Sequence, residues 1–290
     1  MNRTRPGSAL IFVALPILLA WSLPAAAQDS TDWQSWPISG GRVEIGVGYF
    51  LPKLDTGVRI TDPNGIIGTG ISFEKNLGLD DSKGTALAYI DWRFFKRHTV
   101  SYRYFNLQRS ATGTSSSVSI AIGEEIFDIS LPIQSYFDIS ANEVSYAYSL
   151  MFDQKKELFV GLGVSVQDLD FGIQGTESSP NPGEVINYPF SSTAPLPTLN
   201  VGFNYAFSDN WIFYSRAGWL AVALDLGADE ELSGQIVNAN AGITWNAFEK
   251  VSFFAQYQIF DVDVDYVDDN KMIAIDYDYT GPVLGVSVNF

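Results

Sequence analysis

Cysteine is absent, histidine occurs once, and the 17 Lys and Arg are outnumbered by 33 Asp and Glu in 290 residues. Without cysteine there is no disulfide framework and no thiolate metal site; an oxidising periplasm permits disulfides without requiring them. A net charge of −16 argues against nucleic acid and anionic lipid surfaces as partners. No phosphate loop, Cys/His metal spacing or dinucleotide motif occurs, so no cofactor is expected. One long apolar run is present, residues 9–23, and it falls short of the roughly 20 residues that a spanning helix needs. Arg3 and Arg5 precede it and Pro24-Ala25-Ala26-Ala27 follows, the layout of a cleavable secretory signal. Cleavage is expected after Ala27, which removes two basic residues and leaves 33 acidic against 15 basic, a charge of −18.

The full chain is 46% hydrophobic and 14% aromatic, yet beyond the signal it holds no stretch long enough for a transmembrane helix. A membrane protein without spanning helices must be a closed barrel, because hydrocarbon cannot satisfy the backbone groups of an open sheet edge. The residue pattern agrees. In Leu199-Asn200-Val201-Gly202-Phe203-Asn204-Tyr205-Ala206-Phe207 the odd positions are apolar and the even ones polar or small. Val237 to Trp245, Val251 to Ile259 and Leu284 to Phe290 repeat the arrangement, and 42–51, 84–95, 98–109, 143–152, 158–168 and 211–224 show it more weakly. This period of two predicts an all-β, antiparallel up-and-down transmembrane barrel of about ten strands, with 8 and 12 as alternatives. Residues 1–27 are then the signal, 28–41 a periplasmic N-terminal segment and 42–290 the barrel.

Connections fall into short ones (96–97, 152–156, 208–210, 248–250) and long ones (52–83, 110–135, 169–196, 225–234, 261–279), as short periplasmic turns and long outer loops would. The 118–130 stretch reads as a hairpin above the membrane. A soluble β-sandwich also alternates, but it would centre its aromatics. Here Trp92, Phe94, Phe95, Phe207, Trp211, Trp245 and Phe248 collect near strand ends, as an interfacial girdle requires.

The final Gly285-Val286-Ser287-Val288-Asn289-Phe290, alternating and closing on Phe290, resembles the signature that marks Gram-negative outer-membrane proteins for the barrel-assembly machinery. The chain as a whole is similar in layout to the small OmpA-like and OmpW-like barrels. Trp92-Arg93-Phe94, His98, Tyr102-Arg103-Tyr104-Phe105 and Arg109-Ser110 resemble a proteobacterial group of outer-membrane barrels without an assigned activity. The resemblance implies the fold, the outer membrane as location, contact with lipid and lipopolysaccharide, and Phe290 as an assembly signal; it carries no catalytic residues.

With the apolar set facing lipid, the lumen receives Glu44, Tyr89, Asp91, Arg93, Arg103, Glu143, Tyr214, Arg216, Asn200, Asn204, Asn238, Asn240, Gln256 and Gln258. Uncompensated charge in a narrow lumen is costly, so Glu44, Asp91 and Glu143 are expected to pair with Arg93, Arg103 and Arg216. Such groups either fill a small barrel as a polar core or line a passage for small solutes. His98, beside the turn 96–97, reads as a solvated turn residue, and no Ser or Asp is spaced to partner it as a general base. The protein is therefore not expected to be an enzyme. The carboxylates Asp261, Asp263, Asp265, Asp268 and Asp269 form a candidate divalent-cation loop that could bridge to lipopolysaccharide, although acidic runs are usually solvated faces. A closed barrel has no free edge, so a monomer is expected. The reading is a barrel with a structural or surface-interaction role, with a small-solute channel as the alternative.

Overall fold

In a computed structural model of the chain, the described residues are 33–39, 41–61, 70–113, 121–122, 125–127, 131–179, 181–227, 230–267 and 272–290. The expected signal, and Asp268 and Asp269, lie outside them. Among the described residues two 3₁₀ turns, Trp33–Ser35 and Pro37–Ser39, precede fourteen strands. These are β1 Val43–Phe50, β2 Lys53–Thr61, β3 Gly70–Ser72, β4 Thr85–Phe95, β5 His98–Gly113, β6 Ala121–Ile122, β7 Glu125–Phe127, β8 Ile133–Phe152, β9 Lys156–Ser179, β10 Val185–Ala206, β11 Trp211–Gly227, β12 Glu230–Asn246, β13 Val251–Val267 and β14 Met272–Asn289.

Ten of them close an antiparallel ring in the order β1-β4-β5-β8-β9-β10-β11-β12-β13-β14, with β14 returning to β1. Following register partners round the ring from Val43 through Trp92, Val100, Tyr146, Leu162, Leu199, Trp219, Val237, Asp261 and Asp278 ends at Asp55, twelve residues further along the chain. That stagger is what tilts the strands, typically by about 40°. β1 and β2 run along β14 in one unbroken register, so they act as a single wall strand interrupted only at Leu51-Pro52.

The strands are longer than a membrane crossing. β9 has 24 residues and β10 has 22, against the 9–11 that suffice. The excess sorts the barrel into two storeys. In the lower one the outward positions are apolar: Ile45, Val47 and Tyr49 on β1, Val160, Leu162 and Val164 on β9, Phe253, Tyr257 and Ile259 on β13, all exposed. This is a lipid-facing belt, with polar residues inside.

Above the belt the same alternation continues with its polarity inverted. Outward positions become Asp168 and Asp170 on β9, Asp261, Asp263 and Asp265 on β13, and Asp276 and Asp278 on β14. Inward positions become Phe171 and Ile173, Val262, Ile273, Ile275, Tyr277 and Tyr279, which join Phe50, Leu54, Val58, Leu107, Ile133, Phe137 and Ile139 in one buried cluster. The upper storey is thus a barrel wall in water around an apolar core, stabilised by the burial term that the lipid belt cannot use.

Of the stretches expected to be long loops, 169–196, 225–234 and 261–279 are therefore largely strand and 52–83 and 110–135 are strand in part, which corrects their reading. Part of the first folds back inside: Phe73, Leu77 and Leu79 are buried in the core. Arg109 of β5 pins this segment, with Nη1 donating to the Glu74 carboxylate and to the Asp80 carbonyl (3.2 Å), and Nη2 to Thr56 Oγ1 at 2.6 Å. The hairpin β6–β7 adds to the outer end of β9.

Among the described residues the upper wall is open in two places: β5 pairs with β4 only up to Leu87↔Phe105 and has no strand partner on that side above it, and a second seam runs beside β10. β10 pairs with β9 along its whole length but with β11 only from Leu199↔Trp219 downward. Pro195 and Pro197 occupy the strand just above that point. Proline cannot donate to a ladder and is confined to edges, so the sequence itself ends the β10–β11 pairing there.

Candidate functional site

The lumen of the lower storey holds a chamber of about 270 Å³. Its roof is the underside of the apolar core, at Phe50, Phe105, Phe260 and Tyr279, and Pro37, Ile38 and Ser39 form part of its floor. Its walls carry Glu44, Asp91, Arg93, Arg103, Glu143 and Arg216, together with Tyr89, Tyr214, Asn200, Asn204, Asn238, Asn240, Gln256 and Gln258.

Partner choice differs from simple pairing of the mid-strand charges. Asp91 bridges two arginines: its Oδ1 accepts from Arg103 Nη2 at 3.3 Å and its Oδ2 from Arg216 Nη2 at 3.4 Å. Because β4 and β11 lie on opposite arcs of the ring, this is a rung across the lumen. Glu44 is not held by an arginine as expected; Tyr89 Oη donates to it at 2.6 Å. Gly46 makes that bond possible, since a Cβ there would fall 2.2 Å from the Tyr89 ring. Glu143 faces Arg103 across the β5–β8 register.

Arg93 is the larger departure. Its Nη2 donates to both oxygens of Glu157, at 2.8 and 3.0 Å, and its Nη1 to Ser149 Oγ and the Lys96 carbonyl, both at 3.3 Å. Its guanidinium also lies 4.5 Å from the centre of the Phe152 ring. Asn204 Nδ2 donates to Glu157 Oε2 at 2.8 Å. The side chains of Arg93 and Glu157 are 9% and 2% exposed, so this is a buried ion pair in which both carboxylate oxygens and both Nη atoms are hydrogen-bonded and Arg93 Nε is not. Glu157 escapes sequence reading because it adjoins a short turn; being the first inward position of β9 is the signal that could have found it.

His98 is not a solvated turn residue. It faces outward, with Nδ1 2.7 Å from Tyr146 Oη, and its ring packs against Phe94, Phe95 and Tyr148. It belongs to the aromatic girdle at the end that carries the short turns, the periplasmic end in such barrels.

Of the candidate cation loop, Asp261, Asp263 and Asp265 project outward above the belt. Asp261, Asp278 and Asp55 are in direct register across three strands, with Asp263 opposite Asp276 one rung higher. Among the described residues no group of three or more such side chains is placed to hold a metal ion. Like charges directly opposite are destabilising. The Asp278 carboxyl, one rung beyond the belt, is pushed up to about 6 by burial first and then by Asp261, Asp263 and Asp55. Asp276 is raised by burial and by Asp263.

A raised folded-state value means that the fold holds a proton which the unfolded chain releases near pH 4. The stabilisation is present below that unfolded value and is lost as pH rises through about 6. Upper-storey amides of β13 and β14 should therefore exchange more slowly at pH 5 than at pH 7 after correction for intrinsic rates. The difference should be on the order of 1 kcal/mol, given solvent screening, and Asp278→Asn should remove most of it, Asp276 keeping the rest. Equal protection at both pH values in the wild type would refute this.

No family model and no curated protein matches the chain. Solved structures do. The outer membrane protease OmpT from Escherichia coli aligns over 85% of this chain and 97% of its own at 8% identity, with a TM-score of 0.50. The outer membrane protein OprG from Pseudomonas aeruginosa aligns over 86% and 95% at 12% identity, with a TM-score of 0.38. Neisserial surface protein A aligns over 86% and 98% at 8% identity, with a TM-score of 0.29. By its ring of ten strands, its lipid-facing belt and the first of these likenesses, the chain has the fold of a Gram-negative outer-membrane β-barrel.

Proposed function

We propose that the protein is a non-conducting barrel of the outer membrane, with a structural or surface-interaction role carried by its water-exposed, acidic upper storey. The observation that supports this best is the apolar core across the upper lumen, where Phe50, Phe73, Phe137, Ile71, Leu107 and Ile133 are at most 2% exposed. Ions do not cross a packed apolar layer at useful rates, because desolvating them costs tens of kcal/mol in the ideal case. The Arg103–Asp91–Arg216 rung adds a second obstruction below it. The closed ring of the lower storey leaves no free edge in the membrane, which supports a monomer. Nothing in the surroundings of His98 supports hydrolysis.

Planar-bilayer recording of the refolded, signal-free protein tests this reading. Wild type, Arg103→Ala and Arg216→Ala should all be silent, with folding checked by heat-modifiable gel mobility. Stable conductance altered by either substitution would overturn it in favour of a small-solute channel.

A further inference from the structure

The chamber beneath the apolar roof has features that a passive polar filling does not need. Five residues that line it carry a buried polar atom with no hydrogen-bond partner among the described residues: Arg93 Nε, Arg216 Nε, Gln167 Oε1, Asn240 Oδ1 and Asn289 Oδ1. Arg93 and Gln167 are 8% and 6% exposed, so bulk solvent does not serve them. Leaving such groups unpaired costs about 1–3 kcal/mol each. Arg216 and Asn240 are direct register partners on β11 and β12, which makes an unpaired donor and an unpaired acceptor neighbours on one wall.

The floor is equally specific. From Gly41, beside Phe290 at the edge of β1, the N-terminal segment crosses to the far side of the ring. There Pro37–Ser39 touches β10, and Trp33 and Trp36 pack on Phe152 with ring centres 6.3 and 5.2 Å away. Lys96 Nζ lies 5.3 Å from the centre of the Trp36 ring. The segment is a strap over the periplasmic mouth, held at its far end by aromatic contacts that can be released without unpairing any strand.

We propose that the chamber is a binding site for a small, neutral, polyhydroxylated molecule of monosaccharide size, entered from the periplasmic side past the strap. Size follows from volume: a cavity of about 150 Å³ takes benzene, so about 270 Å³ takes ten to twelve heavy atoms. Neutrality follows from the wall charges, which are engaged within the wall: Asp91 with Arg103 and Arg216, Arg93 with Glu157, and Glu44 with the Tyr89 hydroxyl, while Glu143 faces Arg103. A charged ligand would have to break one of these pairs. Hydroxyls follow from the amide and guanidinium groups of the lining, among them Asn200, Asn238, Asn240, Gln256 and Arg216, since a hydroxyl both donates to an amide oxygen and accepts from an amide or guanidinium N–H. Tyr214 and Phe254 add apolar surface for the ring face of such a molecule. The inference does not depend on whether the barrel conducts.

Calorimetric titration of the full mature protein in detergent with glucose, galactose and arabinose tests it, with choline and malonate as charged controls. At least one sugar should bind saturably at one site per chain. Asn240→Leu and, separately, Gln167→Leu should each weaken binding at least tenfold. Trp36→Ala should raise the association rate several-fold in stopped flow while leaving Kd within about threefold. Both leucine variants are checked by heat-modifiable mobility, and either one that folds suffices. The proposal is overturned if neither wild type nor Trp36→Ala binds any of the sugars, if the charged controls bind instead, or if a folded leucine variant binds as wild type does.

Discussion

Glu157→Ala should destabilise the protein by about 3–5 kcal/mol, the usual consequence of removing one partner of a buried ion pair. Arg93 would keep its charge at a side chain 9% exposed, with only Ser149 Oγ, the Lys96 carbonyl and the Phe152 ring to compensate. Ser149 and Asn204 would lose their acceptor as well. The pair ties β4 to β9, three strands along the ring, so its loss loosens the periplasmic rim rather than one hairpin. Urea unfolding in phospholipid vesicles measures the effect. Arg93→Met combined with Glu157→Leu should recover most of the loss, because apolar replacements of similar volume remove both desolvation penalties together. Recovery should be incomplete, since Ser149 and Asn204 still face an apolar neighbour. A loss below about 1 kcal/mol for Glu157→Ala would show that water reaches the pair and that it is not buried as described.

The sequence discloses the lower storey well and the upper storey poorly, for one physical reason. Searching for apolar residues on the outside finds 199–207, 237–245 and 251–259, because lipid demands an apolar exterior over about nine residues. Above the belt water replaces lipid, and the apolar set moves to the other face. Asp261-Val262-Asp263-Val264-Asp265 then looks like an acidic loop, although it is β-strand with valines on the core and carboxylates in water. Its period was always two; only the sign of the pattern changed. Pro195 and Pro197 hid the upper part of β10 by a second route, since proline argues against a strand unless one edge is free. Partners within the lumen were harder still. The facing of Glu44, Asp91 and Arg103 follows from alternation, but which residues meet across the ring depends on a stagger of twelve residues accumulated over ten strands. No local pattern encodes that sum, so Arg216 reaching Asp91 and Arg93 reaching Glu157 could not be read from spacing.

If two storeys are held by different solvents, a substitution in the upper core should melt one and spare the other, and Phe137→Ala is the sharpest way to ask. Phe137 is fully buried and sits at a junction of rings, 5.1 Å from Phe73, 5.9 Å from Phe171 and 6.2 Å from Tyr277. The Arg109 guanidinium that clasps Glu74 lies 5.5 Å from its ring centre. Truncation removes apolar burial, opens a void and strips the clasp of its aromatic support, a change worth about 3–5 kcal/mol. That loss falls on the upper storey alone, because the belt below is stabilised by its lipid-facing residues and its closed ladder. Hydrogen exchange should therefore accelerate by roughly two to four orders of magnitude at the amides of upper β8 and β9, as local opening rather than global unfolding. Amides at the depth of the belt, such as those of Val160 and Leu162 on β9, should keep their protection, and heat-modifiable mobility should persist. If lower and upper amides lost protection together, the barrel would be one cooperative unit and the inversion of polarity would mark no boundary in stability.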